Sequence, residues 1–164
     1  MLLVAKERMV FDMENESAKQ LWQNFKLQNP NVPDTYSVWA FGDSKEMADE
    51  LSALVLSGLK TATCSALHGY KLENEPIPKA GDYSVILDGN GEAMGIVQNR
   101  KVTIYSFEEV PETIAYEEGE GDRTLAYWRE EHEAFFRRAY AEMDWEFSPS
   151  MEIVCEQFEL VYAA

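Results

Sequence analysis

Gly58 marks the point at which a helical sequence pattern gives way to a β pattern, and this change of period constrains the fold more than any other feature. Before it, apolar residues recur at the spacing of one face of an α-helix, which predicts a helix over residues 45–57 with Asp43 and Glu46 as a capping pair. Gly58 stands where such a helix ends, and the threonine-rich segment 61–66 is typical of a short strand. The chain therefore mixes helices with strands.

Further elements are predicted on both sides of this segment. A helix is expected over residues 17–27, and another over residues 124–143 with Asp122 as its N-cap. Strands are expected over residues 83–87, 93–97, 101–107 and 151–162. We expect an α+β fold with one domain over residues 1–164, in which helices flank a small mixed β-barrel and residues 1–35 form a helical N-terminal extension packed on it.

The charge balance limits the partners of the chain. Asp and Glu number 30 against 14 Lys and Arg, so the formal charge at pH 7 is −16. Such a surface repels anionic lipid and DNA, because binding to both depends on positive charge. The two cysteines are too few for a secreted disulfide framework, and the sequence has no export signal. We therefore expect a cytoplasmic protein with no membrane or DNA partner, while a local basic pocket for a single nucleotide stays open.

Two segments concentrate reactive side chains beside glycine, residues 58–65 and residues 117–122. The hydroxyl of a threonine such as Thr63 becomes a nucleophile only when a base within hydrogen-bond reach takes its proton. Lys60 serves as that base only as a neutral amine, which burial favours, whereas the negative net charge and Glu118 favour the ammonium form. A charged Lys60 would instead hold a phosphate or a carbonyl oxygen, or would simply complement the dipole of the preceding helix.

The spacing of Lys60 and Thr63 restricts how they meet. On a regular strand, residues three apart point to opposite faces of the sheet. The two side chains converge only if Lys60 lies in the turn after Gly58, before the strand straightens. Otherwise Thr61 shares a face with Thr63.

An ordered set of motifs carries a resemblance to a known family. The motifs are Trp39-Ala-Phe41-Gly-Asp43, Gly58-x-Lys60-Thr61-x-Thr63, Ala115-x-x-Glu118, Glu118-Gly-Glu-Gly-Asp122-Arg123 and Tyr127-Trp128-Arg129. With these motifs the chain resembles the ASCH domain, a branch of the PUA-like superfamily, in its longer-chain bacterial subgroup, over about residues 36–162. The resemblance implies a compact PUA-like barrel with a cleft that faces a nucleoside or a short single-stranded RNA, and no cofactor.

The resemblance leaves three functions open. One type of family member is an amidohydrolase that removes the acetyl group from N(4)-acetylcytidine with a lysine, a threonine and a glutamate, which match Lys60, Thr63 and Glu118. Other members are described as RNA-binding modules without catalysis, or as ribonucleases, for which Mg²⁺ at Glu118 and Glu120 would assist cleavage. The carboxylates of Glu118, Glu120 and Asp122 also have a plainer reading, an acidic loop that leads into the next helix.

Aromatic and basic side chains near the motifs are assigned to substrate binding. Trp39 and Phe41 would stack on a nucleobase unless they belong to the core. Arg123 and Arg129 would contact phosphate unless they form surface ion pairs.

The threonine strand supplies two further residues for substrate binding, Thr61 and Ser65. Many family members carry an arginine where this chain has Ser65, so one contact to an anion or a carbonyl oxygen is missing. His132 falls on the apolar side of its predicted helix, where a hydrogen-bonded core histidine is the expectation. No second His or Cys stands near it at zinc-ligand spacing, so the amidohydrolase hypothesis includes no metal site.

Overall fold

A mixed six-stranded sheet flanked by helices forms the part of the chain that the structure describes. The structure is a computed structural model, and it describes residues 8–10 and 15–164. The strands are β1 (Arg8–Val10), β2 (Ser37–Phe41), β3 (Ala62–Ala66), β4 (Tyr83–Leu87), β5 (Ala93–Ser106) and β6 (Glu152–Ala163). The helices are α1 (Glu16–Gln28), α2 (Lys45–Leu56), α3 (Leu67–Glu73), α4 (Glu112–Glu118) and α5 (Leu125–Ala139), and Phe107–Glu109 forms a single 3-10 turn.

The sheet runs in the order β1-β2-β4-β5-β6-β3. β2 and β4 are parallel, and every other neighbouring pair is antiparallel. The first half of β5 pairs with β4, while β6 follows β5 along almost its whole length with register irregularities at Ile96/Val97 and Asn99/Lys101. Such irregularities bend a strand and increase its twist, so the sheet curls into a half-barrel. The predicted α+β fold class, with helices flanking a small mixed barrel-like sheet, is confirmed.

β5 is one continuous strand, whereas the sequence predicts two strands over residues 93–97 and 101–107. The polar residues between the two predicted strands interrupt the apolar pattern, which is why the sequence predicts a gap there. In the structure they remain paired, because Asn99 lies opposite Phe158 of β6 while the register shifts beside it. The predicted gap is therefore a bulge within the strand rather than a loop.

Ser44, rather than Asp43, caps the amino terminus of α2. The Ser44 hydroxyl accepts a hydrogen bond from the Met47 N–H (3.2 Å). Asp43 instead accepts a hydrogen bond from Arg138 Nε (2.8 Å) at the far end of α5. The capping pair predicted from Asp43 and Glu46 is therefore wrong by one residue, because Asp43 has a more distant partner.

Thr124, rather than Asp122, caps α5. The Thr124 hydroxyl accepts a hydrogen bond from the Tyr127 N–H (3.1 Å), and Asp122 accepts a hydrogen bond from the Thr124 N–H (2.9 Å). Asp122 thus stabilises the capping residue instead of the helix itself. The helix ends at Ala139, before the predicted end at residue 143.

The N-terminal region combines a strand with a helix. α1 confirms the helix predicted over residues 17–27, and it packs on β4 and β5. Within the predicted helical extension, Arg8–Val10 forms β1 instead of a helix, because its backbone pairs with the edge of β2. Residues 1–7 and 11–14 of that extension lie outside the described residues.

Three elements have weak sequence signals. β2 is almost entirely buried, so its sequence is a continuous apolar run without the alternation that marks a half-exposed strand. α3 and α4 are seven residues long, which is too short for a 3.6-residue period to become visible. None of these three elements is predicted from the sequence.

Side chains of β6 pack into hydrophobic cores on opposite faces of the sheet. Cys155 belongs to an apolar cluster with Phe136 of α5, and Phe158 belongs to a second cluster with Phe41 and side chains of α2. The end of α2, the start of β3 and the end of α4 meet beside these two cores. Across residues 8–10 and 15–164, no helix has the length and apolar character needed to cross a membrane.

Candidate active site

Lys60 lies in the turn between α2 and β3. Gly58 adopts a φ of +81°, and the Lys60 N–H donates to the Leu54 carbonyl (3.1 Å), which closes the end of α2. β3 begins only at Ala62. Lys60 therefore precedes the straight part of the strand, which is the arrangement that allows its side chain to converge with that of Thr63.

The Lys60 side chain is buried among acidic and aromatic groups. Its Nζ donates to Glu120 Oε2 (2.8 Å) and to the Glu118 carbonyl (3.3 Å), and it lies 5.3 Å from the centre of the Phe41 ring. Only 1% of the Lys60 side chain is exposed, against 25% of the Glu120 side chain. The ion pair favours the ammonium form, and the solvent contact of Glu120 gives the pair one route to water.

The loop after α4 packs closely against this turn. Gly119 adopts a φ of +73°, and a Cβ on it would lie 2.3 Å from the Leu59 carbonyl oxygen. The Thr61 N–H also donates to the Glu117 carbonyl (2.7 Å). Glycine is required where the two backbones approach this closely, and the contact fixes the acidic residues on either side of it relative to the lysine.

Glu118 points its carboxylate toward α5. Its Oε2 lies 2.9 Å from His132 Nε2, and His132 Nδ1 lies 2.8 Å from the Trp128 carbonyl oxygen. Burial raises the pKa of Glu118, but the positive charges of His132 and Lys60 outweigh burial, and the net result is a pKa below the ordinary value. Glu118 is therefore an ionised carboxylate in a water-poor position at neutral pH.

Thr63 is buried on β3, directly opposite Glu156 of β6. Residues that face each other on antiparallel strands project to the same side of the sheet. Glu156 Oε1 accepts a hydrogen bond from Asn99 Nδ2 (2.9 Å), and both of these side chains are buried. The threonine hydroxyl therefore shares its side of the sheet with a buried carboxylate and a carboxamide.

Comparison with known proteins decides the family. A family model of the ASCH domain matches residues 37–162. The chain belongs to the ASCH domain family. A search of curated proteins finds no match for this ASCH domain.

Two crystal structures resemble this ASCH domain over nearly its full length. Protein EF3133 of Enterococcus faecalis V583, from the DUF984 family, is 43% identical with a TM-score of 0.83, and the match covers 90% of each chain. An ASCH domain from Lactobacillus crispatus JV V101 is 28% identical with a TM-score of 0.86, and the match covers 94% of this chain and 99% of that one. Both comparisons agree with the curled mixed sheet described above.

The three residues predicted to act in catalysis are distributed around the junction of α2, β3 and α4. Lys60 meets the loop that carries Glu118 and Glu120, but the Glu118 carboxylate itself contacts His132. Thr63 lies on the adjoining strand. The arrangement gives one sheltered amine beside two carboxylates, and the catalytic roles of Lys60, Thr63 and Glu118 remain predictions.

Trp39 and Phe41, the aromatic residues predicted to stack on a base, lie in the core of this ASCH domain. Their exposures are 2% and 1%, and their rings pack edge to face at 4.7 Å. Phe41 also forms a wall beside the Lys60 ammonium. A direct stacking role requires these rings to become uncovered, so it remains a prediction.

Thr61 and Ser65 each have a partner inside the protein. The Thr61 hydroxyl donates to the Glu117 carbonyl (3.4 Å). The Ser65 hydroxyl lies 2.9 Å from the Tyr70 hydroxyl, and both side chains are buried. Ser65 therefore fills the position of the family arginine with a local hydrogen bond, and its contact with substrate remains a prediction.

The two arginines predicted to bind phosphate donate hydrogen bonds to backbone carbonyls of this chain. Arg123 Nε donates to the Tyr116 carbonyl (2.9 Å), and the Arg123 guanidinium lies 3.6 Å from the centre of the Tyr116 ring. Arg129 donates to the Glu108 carbonyl (2.7 Å). Both arginines fix local structure in this arrangement, and their contact with phosphate remains a prediction.

The three carboxylates considered for Mg²⁺ point to different partners. Glu118 faces His132, Glu120 faces Lys60, and Asp122 faces Thr124. In the described part of the chain, no group of three or more His, Cys, Asp or Glu side chains has an arrangement that fits a metal ion. The geometry therefore gives no specific support to the metal-assisted ribonuclease.

Sequence reasoning missed three members of the site. It considered Glu120 as a Mg²⁺ ligand or as part of an acidic loop, although Glu120 is the ion-pair partner of Lys60. It treated His132 as a core residue, although His132 also contacts Glu118. It did not single out Glu156. One signal was available, because Glu156 shares one face of its predicted strand with the apolar residues Val154 and Phe158 on either side of it.

Proposed function

We propose that this ASCH domain binds an acylated nucleoside, free or within a short single-stranded RNA, and hydrolyses the amide on the exocyclic amine of the base. N(4)-acetylcytidine is the reference substrate. The observation that supports the proposal is the burial of the Lys60 amine, which is sheltered from water and hydrogen-bonded to the loop of Glu118 and Glu120. The proposal also includes that residues 1–164 form a single domain and that the protein acts in the cytoplasm.

The proposed reaction uses the neutral form of Lys60, although the ion pair with Glu120 favours the ammonium form. The ammonium proton is lost to solvent, and the neutral amine then takes the proton of the Thr63 hydroxyl, directly or through one water, as Oγ attacks the acyl carbon. The nitrogen of the base leaves as an amine and receives that proton from Lys60. Water then attacks the acyl-threonine ester, Thr63 Oγ leaves with a proton from that water, and the acyl group departs as a carboxylic acid.

Glu118 has a separate role in this proposal. Its pKa is below the ordinary value, so it stays ionised and does not serve as a proton donor at neutral pH. Its charge attracts the Lys60 ammonium, and its own backbone carbonyl accepts a hydrogen bond from Lys60. In this proposal Glu118 is therefore a positioning residue rather than a proton donor.

The experiment that tests this function follows cytidine release from N(4)-acetylcytidine by chromatography. The intact protein, Lys60→Ala and Thr63→Val are compared, and Lys101→Ala serves as the matched control because Lys101 is an exposed lysine on β5. We expect turnover by the intact protein and the control, and loss of turnover in the two site variants. Absence of turnover above buffer by the intact protein would remove the amidohydrolase proposal.

A second candidate is a binding module without catalysis, and the Lys60–Glu120 ion pair is the observation that favours it. A permanently charged Lys60 would hold a phosphate of a nucleotide or RNA instead of acting as a base. This candidate predicts binding that weakens with salt and with Lys60→Ala but survives Thr63→Ala. Equal affinity at low and high salt would contradict it.

A further inference from the structure

Cys64 of β3 and Cys155 of β6 face each other across the sheet. They are direct partners in the antiparallel register, and their Sγ atoms lie 2.9 Å apart. Both side chains are fully buried in the cluster beneath α5, and neither forms a disulfide in this structure. The separation is shorter than an ordinary contact between two thiols, so no other group lies between the sulfur atoms.

The ladder places this pair at a site that suits a cross-strand disulfide. The Phe158 N–H donates to the carbonyl of Thr61, its direct partner, so that pair is hydrogen-bonded. Hydrogen-bonded and non-hydrogen-bonded pairs alternate along an antiparallel ladder, which makes Cys64 and Cys155 a non-hydrogen-bonded pair. Such pairs have Cα atoms about 4.5 Å apart, within the roughly 4.4–6.8 Å that a disulfide spans.

We propose that Cys64 and Cys155 form an oxidisable dithiol, whose product is a cross-strand disulfide. The oxidant is a small peroxide. One thiolate attacks the peroxide O–O bond and becomes a sulfenic acid, with release of one water after protonation. The second thiol attacks that sulfur and expels a second water, so two thiols and one hydrogen peroxide yield one disulfide and two waters.

The position of β3 gives the oxidant a route to this pair. Among the described strands, β3 is the last in the sheet order and pairs with β6 alone. Local opening of that edge is the proposed route by which peroxide reaches the thiols while the rest of the sheet stays folded. Thr63 directly precedes Cys64. The disulfide would therefore link β3, the strand that carries Thr63, covalently to β6. This inference does not depend on the proposed function.

The test uses the intact chain, because its sequence contains only these two cysteines. The reduced protein is treated with hydrogen peroxide, unfolded, alkylated and measured by mass spectrometry, with Cys64→Ser and Cys155→Ser as matched controls whose folding is checked by circular dichroism. We expect a monomer that has lost two hydrogen atoms and both reactive thiols, and that regains them with a dithiol reductant. The oxidised chain should also unfold at a higher urea concentration than the reduced chain, because the bond restricts the unfolded state.

Three results would overturn the inference. Both thiols could remain available to the alkylating reagent after peroxide treatment, the chains could become joined as dimers, or oxygen could add to one sulfur without loss of the second thiol. The serine variants distinguish these cases, since each retains one thiol and cannot form an intramolecular bond.

Discussion

His132 Nε2 lies 2.9 Å from Glu118 Oε2, and both side chains are buried. The other ring nitrogen, Nδ1, lies 2.8 Å from the Trp128 carbonyl oxygen. A carbonyl and an ionised carboxylate are both acceptors only, so each ring nitrogen must donate a proton. The geometry therefore assigns an imidazolium–carboxylate pair to the junction of α4 and α5, next to the ion pair formed by the buried Lys60 and the partly exposed Glu120.

His132 is expected to remain doubly protonated at pH 7.5, where an unperturbed histidine is largely neutral. Imidazole nitrogen NMR measures this directly, and the chain has only one other histidine, His68, which His68→Gln removes from the spectrum. Glu118→Gln should convert His132 to the neutral form at the same pH, because it removes the counter-charge. A neutral His132 in the unaltered chain would contradict the assignment.

The contribution of Glu118 to stability should depend on pH. The pKa of Glu118 is lowered in the folded protein, chiefly because its positive neighbours outweigh burial, so the unfolded chain binds more protons below the ordinary carboxyl pKa of about 4.3. The stabilisation is present above that pH and is lost as pH falls toward the folded-state pKa. Urea unfolding of the intact chain and Glu118→Gln between pH 7 and pH 3 should show a difference that shrinks on acidification. A difference that stays constant would contradict the ion pair.

Lys60 and Glu120 should be energetically coupled. Lys60→Met keeps the apolar stem beside Phe41 and removes the charge, and Glu120→Gln removes the partner charge with little change of shape. Partial exposure of Glu120 moderates the interaction, so we expect a coupling free energy of about 1–2 kcal/mol in a double-mutant cycle measured by urea unfolding. Additivity of the two substitutions would show that the contact contributes nothing measurable.

Gly119→Ala should destabilise the protein more than Gly58→Ala does. Both glycines have positive φ, but a Cβ at Gly119 would lie 2.3 Å from the Leu59 carbonyl oxygen, whereas a Cβ at Gly58 meets nothing within 4 Å. The alanine at position 58 should cost about 1 kcal/mol through backbone strain, and the one at position 119 should cost roughly 2–3 kcal/mol or more. Equal free energies of unfolding for the two variants would contradict the close packing of the loop on the turn.

Local sequence patterns were sufficient to predict much of the fold. The apolar periods of α1 and α2 and the apolar run of β4 extend over enough residues to be recognised, and Gly58 correctly marks the end of α2. The bulge at Asn99 was not predicted, because it depends on the register with β6, which is distant in the chain. The cap of α2 was placed one residue too early, because Asp43 and Ser44 are both favoured capping residues and Asp43 pairs with the distant Arg138.

The candidate site was predicted in part. The motif around Lys60 and the loop at Glu118 indicated two segments that the fold does bring together. The partner choices were not predictable, because Glu120 rather than Glu118 pairs with Lys60 only once Gly119 brings the loop against the turn. Sequence spacing gives no such orientation for side chains on separate elements.

The most direct test of the central claim is the rate of cytidine release from N(4)-acetylcytidine by Lys60→Met relative to the intact chain, with Lys101→Met as the control. If the buried amine of Lys60 takes and returns the proton during hydrolysis, its loss should lower kcat by at least about 100-fold while the control stays unchanged. A Lys60→Met variant that folds normally and retains the full rate would contradict the account.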